Sequence, residues 1–208
     1  MLAEVSVKNE MRPGFLQASY KKANAPTIVL LFNVKKDVVL PNHKHGQHQF
    51  GYTFFGEYDF LIDGTRYLAV GRDSYHIEGG IYHAAVANSD YYSMDFKYIG
   101  KEGLDAPVAF NPIVPSADAK GNPLGEVFFN EESQGRVRTM QLRGAVEYTF
   151  PPIRSGLERA LVVSAKTTVW IDSKPALLEP MKIYRIESTE KLNLKIEGDE
   201  NEAFLYEI

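Results

Sequence analysis

Five histidines carry the first chemical signal of this sequence, because all five lie in one short window. The chain of 208 residues has histidine only between His43 and His83, and its second half has none. Imidazole is a common metal ligand, and it is the side chain that most readily takes up and releases a proton near neutral pH. Any imidazole chemistry of this protein is therefore expected in the first half of the chain.

One stretch of this window, PNHKHGQHQ, has the residue types and the spacing of a metal site. In an extended strand, residues two apart face the same way, so His43, His45 and Gln49 are predicted to share one face. Two imidazoles and an amide oxygen that converge on one point can hold a divalent cation. His83 is the natural fourth ligand, because a turn-forming glycine pair precedes it and can return the chain to the site.

Two further histidines, His48 and His76, are the candidates for moving protons at such a site. His48 has the opposite parity to the ligands, so a position in solvent or an interface and a role in supporting a ligand are both open. His76 is interpreted either as a catalytic base or as a residue on the polar face of a strand.

Strand signals dominate the remaining sequence and predict an all-β fold. Apolar runs rich in β-branched and aromatic residues, such as 27–32 and 50–62, are bounded by turn residues. The turns recur at intervals of about 8–12 residues, which is typical of an antiparallel sandwich or barrel. No long helical pattern interrupts this series.

The two halves of the chain resemble each other and are joined by a segment rich in proline and glycine. An offset of 109 residues places Asp63 on Asp172 and Tyr75 on Tyr184, which favours a duplicated β-domain over two unrelated halves with similar strand spacing. We therefore predict three parts, namely a domain with the metal site over 1–105, a connector over 106–123 and a second domain over 124–208.

Composition excludes several classes of protein. The net charge is −4 and no basic run is present, which argues against a surface for nucleic acid or for an anionic membrane. No apolar stretch is long enough to span a bilayer, and the start of the chain lacks the pattern of a signal peptide. Cysteine is absent, so disulfides and thiolate ligands are excluded. We expect a cytoplasmic protein.

The motifs resemble those of the cupin family. Its first motif is matched by His43, His45, Gln49 and Gly56, and its second by Gly71, Gly80, His83 and Asn88, with two spacings one residue longer than usual. The resemblance implies two double-stranded β-helix (jelly-roll) barrels, a bicupin. It also implies that His43, His45, Gln49 and His83 ligate one divalent metal ion, which is Fe, Mn, Co, Ni or Zn.

The second half lacks these ligands at the corresponding positions. Gln49 falls on Glu158 or Arg159, and His83 falls on Leu192 or Asn193. The second domain is therefore expected to be a degenerate cupin domain without a metal site, which serves packing, with lid or dimer contacts as further roles.

The run from His43 to Glu57 is similar to the cupin isomerases of bacilysin and aeruginosin biosynthesis, which act on dihydro-hydroxyphenylpyruvate. This resemblance implies a metal-dependent isomerase that shifts a double bond in a small 2-oxo acid in secondary metabolism. Its partners would be that anionic substrate and a second copy of the chain in a homodimer. The alternatives are a cupin dioxygenase with Fe(II), a sugar-ring isomerase or ketonising enzyme, and a non-catalytic ligand-binding cupin.

Overall fold

The structure is a computed structural model that describes most of the first half of the chain and parts of the second. Within the described residues every regular element is a β-strand, which confirms the predicted all-β class. Accordingly, this part of the chain contains no helix with the length and hydropathy of a membrane span. The described ranges are 2–23, 28–98, 111–113, 127–131, 138–144, 146–150, 152–153, 158–187, 191–198 and 201–207.

The described residues form the following strands in chain order. Those of the first half are β1 (Leu2–Glu4), β2 (Val7–Arg12), β3 (Phe15–Lys21), β4 (Ile28–Val34), β5 (Val39–His43), β6 (His48–Phe55), β7 (Glu57–Ile62), β8 (Thr65–Val70), β9 (Ser74–Ile77), β10 (His83–Ala87) and β11 (Tyr91–Tyr98). Those of the second half are β12 (Asn111–Ile113), β13 (Val127–Glu131), β14 (Arg138–Arg143), β15 (Val146–Phe150), β16 (Arg159–Val163), β17 (Thr167–Ile171), β18 (Lys174–Leu178), β19 (Tyr184–Ile186), β20 (Leu192–Ile196) and β21 (Glu202–Glu207).

The chain divides into two compact units. The N-terminal unit is Ser6–Pro107, and the C-terminal unit combines Met1–Val5 with Val108–Ile208. The first five residues were predicted to lie with the first domain, but β1 pairs with β19, where Leu2 is opposite Ile186. The predicted connector lies outside the described residues except for 111–113, so its boundaries stay a prediction.

The N-terminal unit is built from two antiparallel sheets. The larger sheet has the order β2-β3-β4-β11-β6-β9, and the smaller sheet has the order β5-β10-β7-β8. Alternate side chains of both sheets point into one shared core, as expected for strands with one buried face. Phe32 of β4, Phe60 of β7 and Ala85 of β10 belong to this core.

The C-terminal unit repeats this topology strand for strand. Its sheets have the orders β1-β19-β16-β21-β14-β13-β12 and β15-β20-β17-β18. Each of these strands except β1 corresponds to the strand numbered ten lower in the N-terminal unit. Strand β1 is an additional strand at the edge of the larger sheet. The turns repeat as well. Asp63 and Asp172 have φ angles of 47° and 48°, and Arg72 and Met181 have φ angles of 76° and 58°. The offset of 109 residues between these pairs is the one that the sequence predicted.

Candidate metal centre

Three imidazoles meet at one end of the N-terminal unit. The ring centre of His83 lies 4.3 Å from that of His43 and 5.0 Å from that of His45. One ring nitrogen from each of the three lies within 4.8 Å of the others. Nitrogens that bind one ion at about 2.1 Å are at most about 4.2 Å apart. The cluster is therefore close to the spacing of a ligand set.

Strand pairing and one close backbone contact bring the two sequence stretches together. In the smaller sheet, His43 is directly opposite His83. The second stretch reaches the first through its glycines, since the Gly80 N–H donates to the His45 carbonyl at 2.8 Å. A Cβ atom on Gly79 would lie only 2.5 Å from the carbonyl oxygen of Gly46. Only glycine permits this approach, so the predicted role of the glycine pair has a specific physical basis.

The prediction that His43, His45 and Gln49 share one face of one strand is wrong. Strand β5 ends at His43, and β6 begins at His48 in the other sheet. His45 lies in the bend between them. The three side chains still converge, because the chain crosses from one sheet to the other around the site.

All three imidazoles are held in the same tautomer. Each Nδ1 lies within hydrogen-bonding distance of a backbone carbonyl, which can only accept, so Nδ1 carries the proton and Nε2 presents its lone pair. The pairs are His43 with Pro41 at 2.9 Å, His45 with Gln47 at 2.8 Å and His83 with Ile81 at 3.0 Å.

Two contacts show that these lone pairs fit a cation. The Nε2 atom of His83 is buried and has no hydrogen-bond partner among the described residues. The Nε2 atom of His45 lies 2.9 Å from Oε1 of Gln49, so two acceptors face each other. Buried polar atoms almost always have a partner. One cation shared by the two Nε2 atoms and the Gln49 oxygen would give each of them a partner.

Two residues that the sequence analysis did not select determine the orientation of the Gln49 amide. Gln49 and Asp95 are 3% and 4% exposed, and they form a side-chain hydrogen bond. Because an ionised carboxylate only accepts, the amide NH₂ of Gln49 faces Asp95 and its oxygen faces His45. Tyr75 donates its hydroxyl to Oδ1 of Asp95 at 2.5 Å. The sequence signal for Asp95 was the alternation of polar and apolar residues along β11.

Burial sets the protonation of these groups. Burial lowers the pKa of His83 to about 4. It also lowers the pKa of His45, with a further contribution from the Lys97 charge. Burial raises the pKa of Asp95 to about 6, which Lys97 and the hydrogen bond from Tyr75 oppose. At pH 7 the two imidazoles are therefore neutral, as metal ligands must be, and Asp95 is predominantly ionised.

The site opens into a cavity of about 280 Å³ inside the N-terminal unit. Most of its lining is aromatic or aliphatic, and the rings pack on one another. Phe60, for example, makes a perpendicular contact with Tyr75 at 4.8 Å between ring centres. Apolar lining residues include Phe15, Leu30, Phe32, Tyr58, Phe60 and Tyr91, and the polar ones include Arg12, Gln17, Ser93, Asp95 and Lys97.

Comparisons with known proteins agree on the fold. No protein-family model matches this sequence, and no curated protein sequence does either. Solved structures do match it over its full length. AerE from Microcystis aeruginosa has a TM-score of 0.65 and 15% identity over 99% of this chain and 98% of its own. The protein Ylba from E. coli has a TM-score of 0.67 and 13% identity, covering 99% and 90% of the two chains.

A third solved structure matches both units of this chain in one protein. Oxalate decarboxylase from Bacillus subtilis, described with Mn(II) centres, has a TM-score of 0.60 and 11% identity over 100% of this chain and 76% of its own. This chain has the bicupin fold. The sequence prediction of two cupin barrels is thereby confirmed.

His48, one of the two further histidines of the bicupin, is not part of the described cluster. His48 is half-buried in β6, next to Gln49 and therefore on the opposite face of the strand, and it is not among the described residues that line the cavity. His76 lies in β9, where its backbone is opposite Phe50 of β6, and its side chain lies outside the described residues. Their predicted catalytic roles stay predictions.

In its described residues, the second barrel of the bicupin has a mainly apolar interior where the first has its polar site. By pairing register, Leu161 takes the place of Gly51 and Leu205 takes the place of Asp95. Both leucines are fully buried. Arg159, also fully buried, takes the place of Gln49. The described interior of this barrel is thus filled by core side chains that offer no ligand for a cation.

Proposed function

We propose that this bicupin is a metal-dependent isomerase that shifts a double bond in a small 2-oxo acid, and that His43, His45, Gln49 and His83 bind its one divalent metal ion. One observation carries the proposal. The Nε2 lone pairs of the imidazoles and the Gln49 oxygen converge at one end of a cavity whose other walls are mainly aromatic and aliphatic. Such a cavity suits a compact ring that carries one chelating anionic group.

Four neutral ligands leave a divalent cation its full charge. A cation bound there would act as a Lewis acid, stabilising the negative charge that develops on a 2-oxo acid when a C–H proton is removed. The remaining chemistry belongs to side chains of the cavity. The aromatic walls exclude water and hold the carbon skeleton by apolar contact.

A double-bond shift needs a group that takes a proton from one carbon and returns it to another. Asp95 is the acidic residue among the described residues that line the cavity. The Tyr75 hydroxyl, which donates a hydrogen bond to Asp95, holds the carboxylate in a fixed position. We assign the proton transfer to the Asp95 carboxylate, with Tyr75 as its positioning residue. This assignment is favoured over His48 because that residue lies on the outer face of β6.

The composition of the lining separates this function from its closest alternative. A sugar needs many hydrogen-bonding side chains around its hydroxyl groups, whereas this lining is dominated by rings and aliphatic chains. The negative net charge supports a small-molecule partner rather than nucleic acid or a membrane. We further propose a place in secondary metabolism, a cytoplasmic location and a homodimer, the last of which sedimentation analysis tests directly.

Incubation with dihydro-hydroxyphenylpyruvate tests the function. We expect metal-loaded protein to shift the ultraviolet absorbance to longer wavelength as conjugation extends, and protein stripped with a chelator to leave the spectrum unchanged. Uptake of oxygen during the reaction would instead identify a dioxygenase. Binding of the compound without any spectral change over a long incubation would identify a binding protein and overturn the proposal.

A further inference from the structure

Lys97 is a cation on the inner face of β11. The side chains of Ser93, Asp95 and Lys97 line the cavity. The residues between them, Met94 and Phe96, are 0% and 2% exposed and are buried on the opposite face. Strand periodicity thus turns a lysine toward a largely apolar cavity, where a cation is costly unless an anion accompanies it.

Pairing register places Lys97 beside the metal ligands. It is directly opposite Gln49 on the neighbouring strand β6. Side chains at such positions are neighbours, with Cβ atoms about 5 Å apart. The charge of Lys97 is close enough to act on the other ligands as well, since it contributes to the lowered pKa of both His45 and His83.

The described residues leave the Lys97 charge without a carboxylate in direct contact. Asp95 attracts it electrostatically, but the hydrogen bonds of that carboxylate come from Tyr75 and Gln49. The other cation of the lining, Arg12, already donates to the Val39 carbonyl at 2.6 Å and lies over the Phe15 ring. Lys97 is therefore the cation of the cavity that is available to an incoming anion.

We propose that Lys97 is a specificity-determining residue, which binds the carboxylate of a ring-bearing 2-oxo acid beside the metal ligands. This inference rests on the proposed function and adds the residue that selects the acid over neutral analogues. The ammonium group supplies a charge-assisted hydrogen bond, and the apolar surroundings strengthen it. No covalent step is involved.

Calorimetric binding of benzoylformate to Mn(II)-loaded protein tests the inference. This 2-oxo acid has a ring but no C–H next to its ketone, so it binds without being isomerised. Its methyl ester keeps the ring and the ketone and removes the charge. For Lys97→Met we expect about tenfold to a hundredfold weaker binding of benzoylformate and little change for the ester. Metal content, measured by elemental analysis, should stay at the wild-type level.

Lys44→Met is the matched control, because Lys44 is an exposed lysine between the ligands His43 and His45 in the sequence. The ammonium group of Lys44 lies 4.6 Å from the centre of the Tyr82 ring. The substitution removes the same charge and should leave benzoylformate affinity near the wild-type value. Equal losses in both lysine variants would show a general charge effect and overturn the inference. Lys97→Gln is the second variant if Lys97→Met does not fold, with the same direction expected.

The outcomes separate the inference from the function on which it rests. Unchanged benzoylformate affinity in metal-loaded Lys97→Met or Lys97→Gln would overturn the role of Lys97 alone. Equal affinity of the wild-type protein for the acid and its ester would do the same. A wild-type protein that binds neither the metal nor benzoylformate would overturn both proposals together.

Discussion

Tyr75 reaches across Gly51 to donate a hydrogen bond to Asp95, although the strands of the tyrosine and the aspartate are not neighbours in the sheet. The order β9-β6-β11 places the glycine between them, in register with both. A Cβ atom on Gly51 would lie 1.9 Å from the Tyr75 ring. The absence of a side chain at this position is therefore what allows the phenol to cross β6 and meet the carboxylate at 2.5 Å.

Gly51→Ala should displace the Tyr75 ring and break its hydrogen bond with Asp95. We expect a loss of about 1–3 kcal/mol in the free energy of unfolding, because the added methyl group overpacks a buried site. Urea denaturation measures this change, and the isomerase assay should show reduced activity. In Gly46→Ala the same change is made where no atom lies within 4 Å of the new Cβ, so stability should stay near wild type. A Gly51→Ala variant as stable as the wild-type protein would contradict the close contact between position 51 and the Tyr75 ring.

Gly79→Ala should separate the two stretches that carry the histidines. The new Cβ would meet the Gly46 carbonyl at 2.5 Å, and backbone on both sides leaves little room for relaxation. We expect metal affinity to fall by at least about tenfold, measured by titration with Co(II) and its absorption spectrum. Gly46→Ala, on the facing side of the same contact, serves again as control. Wild-type affinity in Gly79→Ala would show that the contact does not position the ligands.

His83→Ala should abolish stoichiometric metal binding. It removes the buried imidazole of the cluster, whereas the remaining imidazoles are half-buried or exposed. Elemental analysis after purification and dialysis provides the measurement. The control is His48→Ala, which removes an imidazole from the outer face of the same region and should retain the metal. Should both variants hold the metal equally, the assignment of His83 as a ligand would be wrong.

Leu161→Ala should destabilise the C-terminal unit without affecting the metal site. Leu161 is fully buried at the position that corresponds to Gly51, so truncation leaves a cavity in a packed core. Such changes cost about 2–5 kcal/mol. Chemical denaturation followed by the fluorescence of Trp170 reports on this unit. Leu177→Ala, at a side chain that is 58% exposed, should change stability by less than about 0.5 kcal/mol. Equal effects of the two variants would contradict a filled barrel.

Much of the candidate site could be predicted from residue types and their separation along the chain. The imidazoles of His43, His45 and His83 are the kind of group that binds a divalent metal ion, and the glycine pair before His83 marked the turn that returns the chain. The structure brings these residues together. The mechanism of convergence was predicted incorrectly, because periodicity within one strand cannot reveal that the chain changes sheets at a bend.

The residues that surround the ligands could not be assigned from sequence in the same way. Asp95 and Lys97 are ordinary polar residues of an alternating strand until their partners are known. Their roles depend on which strand lies beside β11 and in which register. Register opposite β6 places Lys97 next to Gln49 and Asp95 next to Gly51. A shift by one residue would have turned both charges to the outer face.

The sequence alone determined the all-β class, the duplication and the half of the chain that holds the imidazoles, because periodicity, turn residues and residue types are local properties. Only the tertiary structure decided that β1 completes a sheet of the C-terminal unit, that Tyr75 meets Asp95 across Gly51, and that Leu161 and Leu205 fill the second barrel. These outcomes depend on contacts between distant strands, and pairing and register fix such contacts only when the whole chain folds.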